Sequence, residues 1–249
     1  MAALVVVVAL LGAGVWVVVK IDHSVRAALP DPGPPPFTVD ELTPAPRSAI
    51  PSAPGTVPPA ATLSAWVTRV SGKTDIPPRV LRAYAEAERV TRTKTPDCHL
   101  TWATVAGIGR IESLNGGHDG SEIDANGLET PPVIGIPLDG SDGVLAVHDT
   151  DSGKLDGDPT WDRAIGPMQF LPDTWHRWGV RANGDGKAPD AQNIDDAALT
   201  TARYMCAKGG DLATPEGWWT AVLTYNNSTD YGQEVFSNAT SYGAANLKP

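Results

Sequence analysis

Glu112 stands near the end of the run GIGRIES, residues 107–113, just ahead of a break at Asn115–Gly117. Steps of three and four from Trp102 reach Val105, Gly109 and Glu112, and the same steps from Thr101 reach Thr104, Ile108 and Ile111. On a helix this places the carboxyl on the packed side or its edge, with Arg110 two residues back and pointing elsewhere. Glu112 also falls in the last helical turn, where the helix dipole disfavours an anion. Desolvation and dipole act in the same direction and favour the protonated form. A carboxyl that keeps its proton near neutral pH can act as a general acid. The competing reading is a structural Glu paired with an Arg distant in sequence.

Other chemistries find less support. The 5 histidines lack the spacing of a zinc site, and neither a P-loop nor a G-x-S-x-G elbow occurs. A net charge of −10, from 19 basic and 29 acidic residues, argues against nucleic acid as a partner, because phosphate binding relies on clustered Lys and Arg. Of the 8 tryptophans, most are expected in the core, with one or two free to stack on a ring-shaped ligand.

The elements that must position Glu112 are mostly helical. TDIPPRVLRAYAEAERVTRTK (74–94) offers Asp75 as a cap, prolines near the first turn and apolar Val80, Leu81, Tyr84, Ala87 and Val90 at helical spacing. HLTWATVAGIGRIESLNGG (99–117) repeats the pattern, and GPMQFLPDTWHRWG, DDAALTTARYMCAKGG and TPEGWWTAVLTYNNS read as three more helices. Between Gly117 and Asp158 lies a Gly/Asp-rich flap, with PPVIGIPL and GVLAVHD as two short strands or an irregular excursion. The fold class is therefore mainly α with a small irregular or β flap.

Three motifs follow one another: ES before a Gly-rich break, WDRAIGPMQFLPDTW (161–175), and AVLTYNNSTDY (221–231). Together they resemble the membrane-bound lytic transglycosylase B family of peptidoglycan-cleaving enzymes, its actinobacterial members above all, from Leu63 to Gly243. The resemblance implies a lysozyme-like helical domain that cuts the β-1,4 bond between N-acetylmuramic acid and N-acetylglucosamine and leaves a 1,6-anhydro-muramoyl end. It implies Glu112 as the single acid/base, and Gln169, Tyr225, Asn226, Tyr231 and Thr160 as substrate-lining residues, Thr160 standing where many members carry serine. Ser113 is expected to point away. The alternatives are a muramidase-type hydrolase drawing a second carboxylate from Asp149, Asp151, Asp156 or Asp158, or a catalytically silent wall-binding or scaffold protein on the same fold.

The loop NGDGKAPDAQNIDD (183–196) has an Asn-x-Asp-Gly start and downstream carboxylates. It resembles the calcium loop of some members of that family, which implies Asn183, Asp185, the Lys187 carbonyl and Asp196 as ligands of a structural Ca²⁺. Arg181 stands at the leading ligand position, where an acid is expected; the other reading is a Gly-rich turn capping the next helix.

The N-terminal part reads as targeting and tether. Ala2–Val19 is an uncharged apolar run ended by Lys20, so residues 1–20 are expected to form a transmembrane anchor, or an uncleaved signal. Residues 21–62 form a Pro-rich linker, expected to be extended and mobile with too few large apolar residues to bury a core, and 63–249 the catalytic domain. Basic residues after the run argue for a cytoplasmic domain. Against this, Cys98 and Cys206, the only cysteines, read as one disulfide in an oxidising compartment, two buried free thiols being the alternative. Together with the activity implied above, this gives a single-pass membrane protein with its domain on the extracytoplasmic side. The partners expected are peptidoglycan glycan strands, the membrane, and proteins of cell-wall synthesis or division.

Overall fold

The computed structural model describes residues 37–141 and 144–247, so the anchor expected over residues 1–20 lies outside it. Among the described residues no helix is long and apolar enough to cross a membrane. The chain is mainly helical with a small two-stranded sheet.

Helix α1 (Ala60–Ser71) buries Leu63, Trp66, Val67 and Val70, the stripe that 3.6-residue periodicity selects. Helix α2 (Pro78–Lys94) starts on Pro78, whose missing N–H costs nothing in a first turn, and buries Val80, Leu81, Tyr84 and Ala87. Asp75 does not cap it. The position before the helix is Pro77, and Asp75 turns instead to Arg110 and to the Tyr242 hydroxyl, which donates to it at 2.8 Å.

Helix α3 (Trp102–Ser113) carries Glu112. Thr101 caps it by accepting from the Thr104 N–H, and the Trp102 N–H donates to Glu88 at 2.8 Å. The helix is buried from Trp102 to Gly109, which makes it the central rod of the domain. Helices α4 (Pro172–Trp178), α5 (Ile194–Gly209) and α6 (Pro215–Tyr225) follow, with Asn193 and Thr214 capping the last two. A further helix, α7 (Thr229–Leu247), lies beyond the segments whose pattern marks a helix. Its buried side is built from Gly, Ser, Ala and Asn as well as Val235, Phe236 and Tyr242, so it shows no strong apolar stripe. Small residues let α7 approach α3 closely: a Cβ on Gly107 would sit 2.9 Å from the Val235 carbonyl oxygen.

The segment GPMQFLPDTWHRWG is helical only from Pro172. Gly166–Gln169 forms a tight turn, the Gln169 N–H donating to the Gly166 carbonyl at 3.0 Å. Gly166 has φ 73° and lies against the Ala191 carbonyl, where a Cβ would clash. The expected flap is present with other strands than the sequence marks. The paired strands are β1 (Glu122–Ile123) and β2 (Glu129–Thr130), antiparallel, with Glu122 opposite Thr130. PPVIGIPL and GVLAVHD contribute isolated bridges, Ile134 to Ile165, Asp139 to Ala146 and His148 to Trp161.

Within the Pro-rich segment the described part, residues 37–59, is packed rather than free. Phe37 stacks on Tyr242 with centroids 4.9 Å apart, and Val57 is buried. The rest is held by polar contacts: Leu42 N–H to Ser237 Oγ at 2.9 Å, Trp219 Nε1 to the Ala49 carbonyl at 2.9 Å, and Asn246 to the Pro54 carbonyl. The physical reason is that a chain rich in proline keeps its carbonyls free of internal bonds. Donor side chains on α6 and α7 use those carbonyls, so a segment with few large apolar residues still docks. The two cysteines are joined, Cys98 in the short turn before α3 and Cys206 in α5.

Candidate active site

The Glu112 carboxyl projects from the last turn of α3 and meets the first turn of α7, where the Tyr231 hydroxyl donates to its Oε1 at 2.6 Å. Burial pushes the carboxyl up to about 7, and the Tyr231 hydrogen bond pulls it back only in part. Arg110, the cation nearest in sequence, is drawn to Asp75 instead. The Tyr225 and Tyr231 phenols are both raised well above their usual range, by burial first and by the Glu112 charge second. Both therefore stay neutral hydrogen-bond donors.

Tyr225 ends α6 and clamps the tight turn of GPMQF, its hydroxyl donating to the Met168 carbonyl at 2.7 Å and its ring meeting Phe170 edge-on. From the other side Ser113 holds the same turn: its Oγ donates to the Pro167 carbonyl at 2.7 Å and accepts from the Gly116 N–H at 2.8 Å. The sequence reading of Ser113 as pointing away from the acid is compatible with this, but misses that it staples the turn. Gln169 sits in that turn with φ 47°, and its Nε2 donates to the Gly166 carbonyl at 2.9 Å. Asn226 is buried and closes α6, its N–H reaching the Val222 carbonyl at 3.0 Å. Tyr231 thus meets Glu112 directly, Tyr225 and Ser113 hold the tight turn that carries Gln169, and Asn226 follows Tyr225 at the end of α6.

Thr160 lies elsewhere. It is exposed on the flap, its N–H donating to Asp158 at 3.0 Å, next to Trp161, which stacks on His148 at 4.3 Å. The four flap aspartates serve the flap's own turns. Asp149 accepts the N–H groups of Asp151, Ser152 and Gly153; Asp151 those of Lys154 and Leu155; Asp156 those of Asp158 and Arg163. Asp158 accepts from Thr160 and Trp161 and pairs with Arg163 at 3.0 Å. Backbone N–H donors hold Asp149 and Asp158 below the usual carboxylate range, which makes them weak bases with their lone pairs engaged.

Glu129 on β2 escapes a reading by sequence pattern. It is 2% exposed, neither carboxyl oxygen makes a hydrogen bond of normal geometry, and burial pushes it up to about 7 against a small pull from the Val133 N–H. It lies beside Gly116 and adds to the burial that raises the Tyr84 phenol, so it is part of the wall behind the acid's helix. Its folded value lies above the ordinary 4.5, so the stability that goes with its proton is complete below about 4.5 and lost as pH rises through 7. Glu129→Gln is expected to stabilise the fold by about 1–3 kcal/mol at pH 8 and to change little at pH 4.5, read by urea unfolding at both values.

The residues at the proposed calcium ligand places, Asn183, Asp185 and Asp196, do not fit a resident ion. Arg181 lies between two of them, its guanidinium 2.8 Å from Asp185 Oδ2 and 2.8 Å from Asp196 Oδ2. Asp196 is buried and also accepts the Ala182 and Asp190 N–H groups at 2.8 and 2.9 Å. The guanidinium holds Asp185 well below the usual carboxylate range, and the two carboxylates in turn raise Arg181. Asn193 caps α5 at the end of this loop. Thermal melting is expected to show no rise with millimolar calcium over chelator, and Arg181→Ala is expected to lower Tm in either condition.

Comparison with known proteins adds the following. Residues 145–219 match the Transglycosylase SLT domain family. That stretch runs from the flap through the tight turn of Gln169, α4 and α5 to Trp219; Glu112, Asn226 and Tyr231 lie outside it. No curated protein sequence matches the chain. Among solved structures, the Escherichia coli lytic transglycosylase Slt35 in complex with bulgecin A aligns with a TM-score of 0.43 at 14% identity, over 74% of this chain and 79% of that one. Slt35 in complex with calcium aligns with a TM-score of 0.42 at 14% identity, over 79% and 81%. SltB3 from Pseudomonas aeruginosa in complex with NAG-anhNAM-pentapeptide aligns with a TM-score of 0.38 at 19% identity, over 76% and 72%.

Proposed function

We propose that the chain is a peptidoglycan lytic transglycosylase with a lysozyme-like helical domain. The observation that carries the reading is Glu112: a half-buried carboxyl raised to about 7 by desolvation, touched by a neutral phenol, with the neighbouring arginine engaged elsewhere. The match of residues 145–219 to the Transglycosylase SLT domain supports the same reading through another part of the chain.

In the first step protonated Glu112 donates to the glycosidic oxygen, the C1–O4 bond breaks, and positive charge develops at C1 of the muramic acid. The carboxylate left behind is held by the Tyr231 hydroxyl, whose hydrogen bond strengthens as the charge forms. In the second step the muramic acid 6-hydroxyl closes on C1 and gives its proton to Glu112, which returns to its starting state. No water enters, and no second carboxylate is required. Gln169, Tyr225 and Asn226 line the place where the sugar sits. The protein acts on the extracytoplasmic side, anchored by residues 1–20, in reach of the wall and of proteins that build or divide it.

The test is clearing of a purified peptidoglycan suspension, with the fragments weighed by mass spectrometry. Fragments one water lighter than hydrolysis products support the assignment. Reducing-end fragments alone would make the protein a hydrolase, and no clearing by the folded protein would leave a wall-binding scaffold.

A further inference from the structure

The helix bearing Glu112 ends against steric preference. After Ser113 three residues in a row are left-handed: Leu114 at φ 53°, Asn115 at 58° and Gly116 at 81°. The first two carry a Cβ that makes this conformation unfavourable. Leu114 N–H closes the helix on the Arg110 carbonyl at 2.9 Å, the αL ending at whose left-handed position glycine ordinarily stands, and the Asn115 N–H reaches the Gly109 carbonyl at 2.9 Å by a wider bond.

The Asn115 side chain supplies what offsets the strain. It is 1% exposed and lies between two phenols on different helices. Its Oδ1 accepts from Tyr84 of α2 at 3.1 Å, and its Nδ2 donates to the Tyr242 hydroxyl of α7 at 3.0 Å. Tyr242 donates onward to Asp75 at 2.8 Å and accepts from Arg110 at 3.3 Å, and Arg110 pairs with Asp75. One amide therefore ties the last turn of the acid's helix to both flanking helices. The same network keeps the guanidinium of that turn on the side away from Glu112.

We propose that Asn115 is a positioning residue for Glu112: it locks the left-handed turn that sets the last turn of α3, so that the carboxyl meets Tyr231 and Arg110 faces Asp75. The proposal rests on Glu112 being the acid. The titratable groups facing that carboxyl are Tyr231 from α7 and Tyr225 from α6, both neutral over the working range, so the alkaline limb of the rate profile reports Glu112.

The test compares Asn115→Gly, which keeps the left-handed backbone and removes the amide, with Tyr242→Phe, which removes the phenol it binds. Soluble glycan fragments of peptidoglycan are the substrate, with kcat, KM and the pH profile measured and folding checked by thermal melting. Asn115→Gly is expected to lower kcat about 10–100-fold with KM nearly unchanged, and to move the alkaline limb to lower pH as water and Arg110 gain access to the acid. Tyr242→Phe is expected to move the limb the same way by less, which keeps the proposal testable if the first variant does not fold. Wild-type kcat and an unmoved limb in the folded variants would overturn the positioning role while leaving Glu112 in place. A Glu112→Gln variant that kept full activity would instead remove the acid itself.

Discussion

Glu112→Gln is expected to lower the rate of glycan cleavage by about 10²–10⁴-fold while leaving KM close to its wild-type value. The amide keeps the size of the carboxyl and an oxygen to accept from Tyr231, so the packing of α3 on α7 survives. What is lost is the proton given to the leaving oxygen and the carboxylate that takes the next one. Stability separates this loss from unfolding. Glu112 is raised from its ordinary value to about 7, so the stability that goes with its proton is complete below about 4.5 and falls as pH rises through 7. The variant has no such loss and is expected to melt at least as high as the wild type at pH 8. An inactive protein that melts lower there would point to damage rather than to a missing acid.

Removing the disulfide is expected to have the largest effect on stability. Cys98 and Cys206 are 108 residues apart, and the loop they close holds α3, the flap, the tight turn of Gln169 and α4. In the chain-entropy account, a loop of this length stabilises the fold by about 5 kcal/mol, or about 10–20 °C in Tm for a chain of this size. The Cys98→Ser, Cys206→Ser double variant should show that drop, and the wild type should match it under reducing conditions. Because neither sulfur touches the site, kcat measured well below the new Tm should hold. Equal melting of the oxidised and reduced protein would count against the link as a stabilising one.

Part of the fold and of the site is legible in the sequence. The packed face of Glu112 follows from three- and four-residue steps, because the helix is regular up to that point. Tyr231 as its partner does not follow, since it comes from a helix whose small residues hide its periodicity. The run GPMQFLPDTW illustrates a further limit: apolar spacing suggested one helix, whereas a left-handed Gly166 and the proline at 172 divide it into a turn and a helix. Residues 37–59 dock where their composition predicts a free tether, because apolar content measures only one way to dock and free carbonyls provide another. Glu129 and Asn115 gave no sign at all. Their roles depend on burial and on phenols that arrive from α2 and α7, and one-dimensional spacing records neither.

Under the proposed mechanism the nucleophile is the substrate's own 6-hydroxyl, and Glu112 moves both protons. Digestion of peptidoglycan in water enriched in ¹⁸O tests it most directly. Glycan ends are expected to carry no ¹⁸O and to be lighter by one water than a hydrolysed end. Ends that take up one ¹⁸O atom as they form would contradict it and place a water molecule, with a base to activate it, in the site.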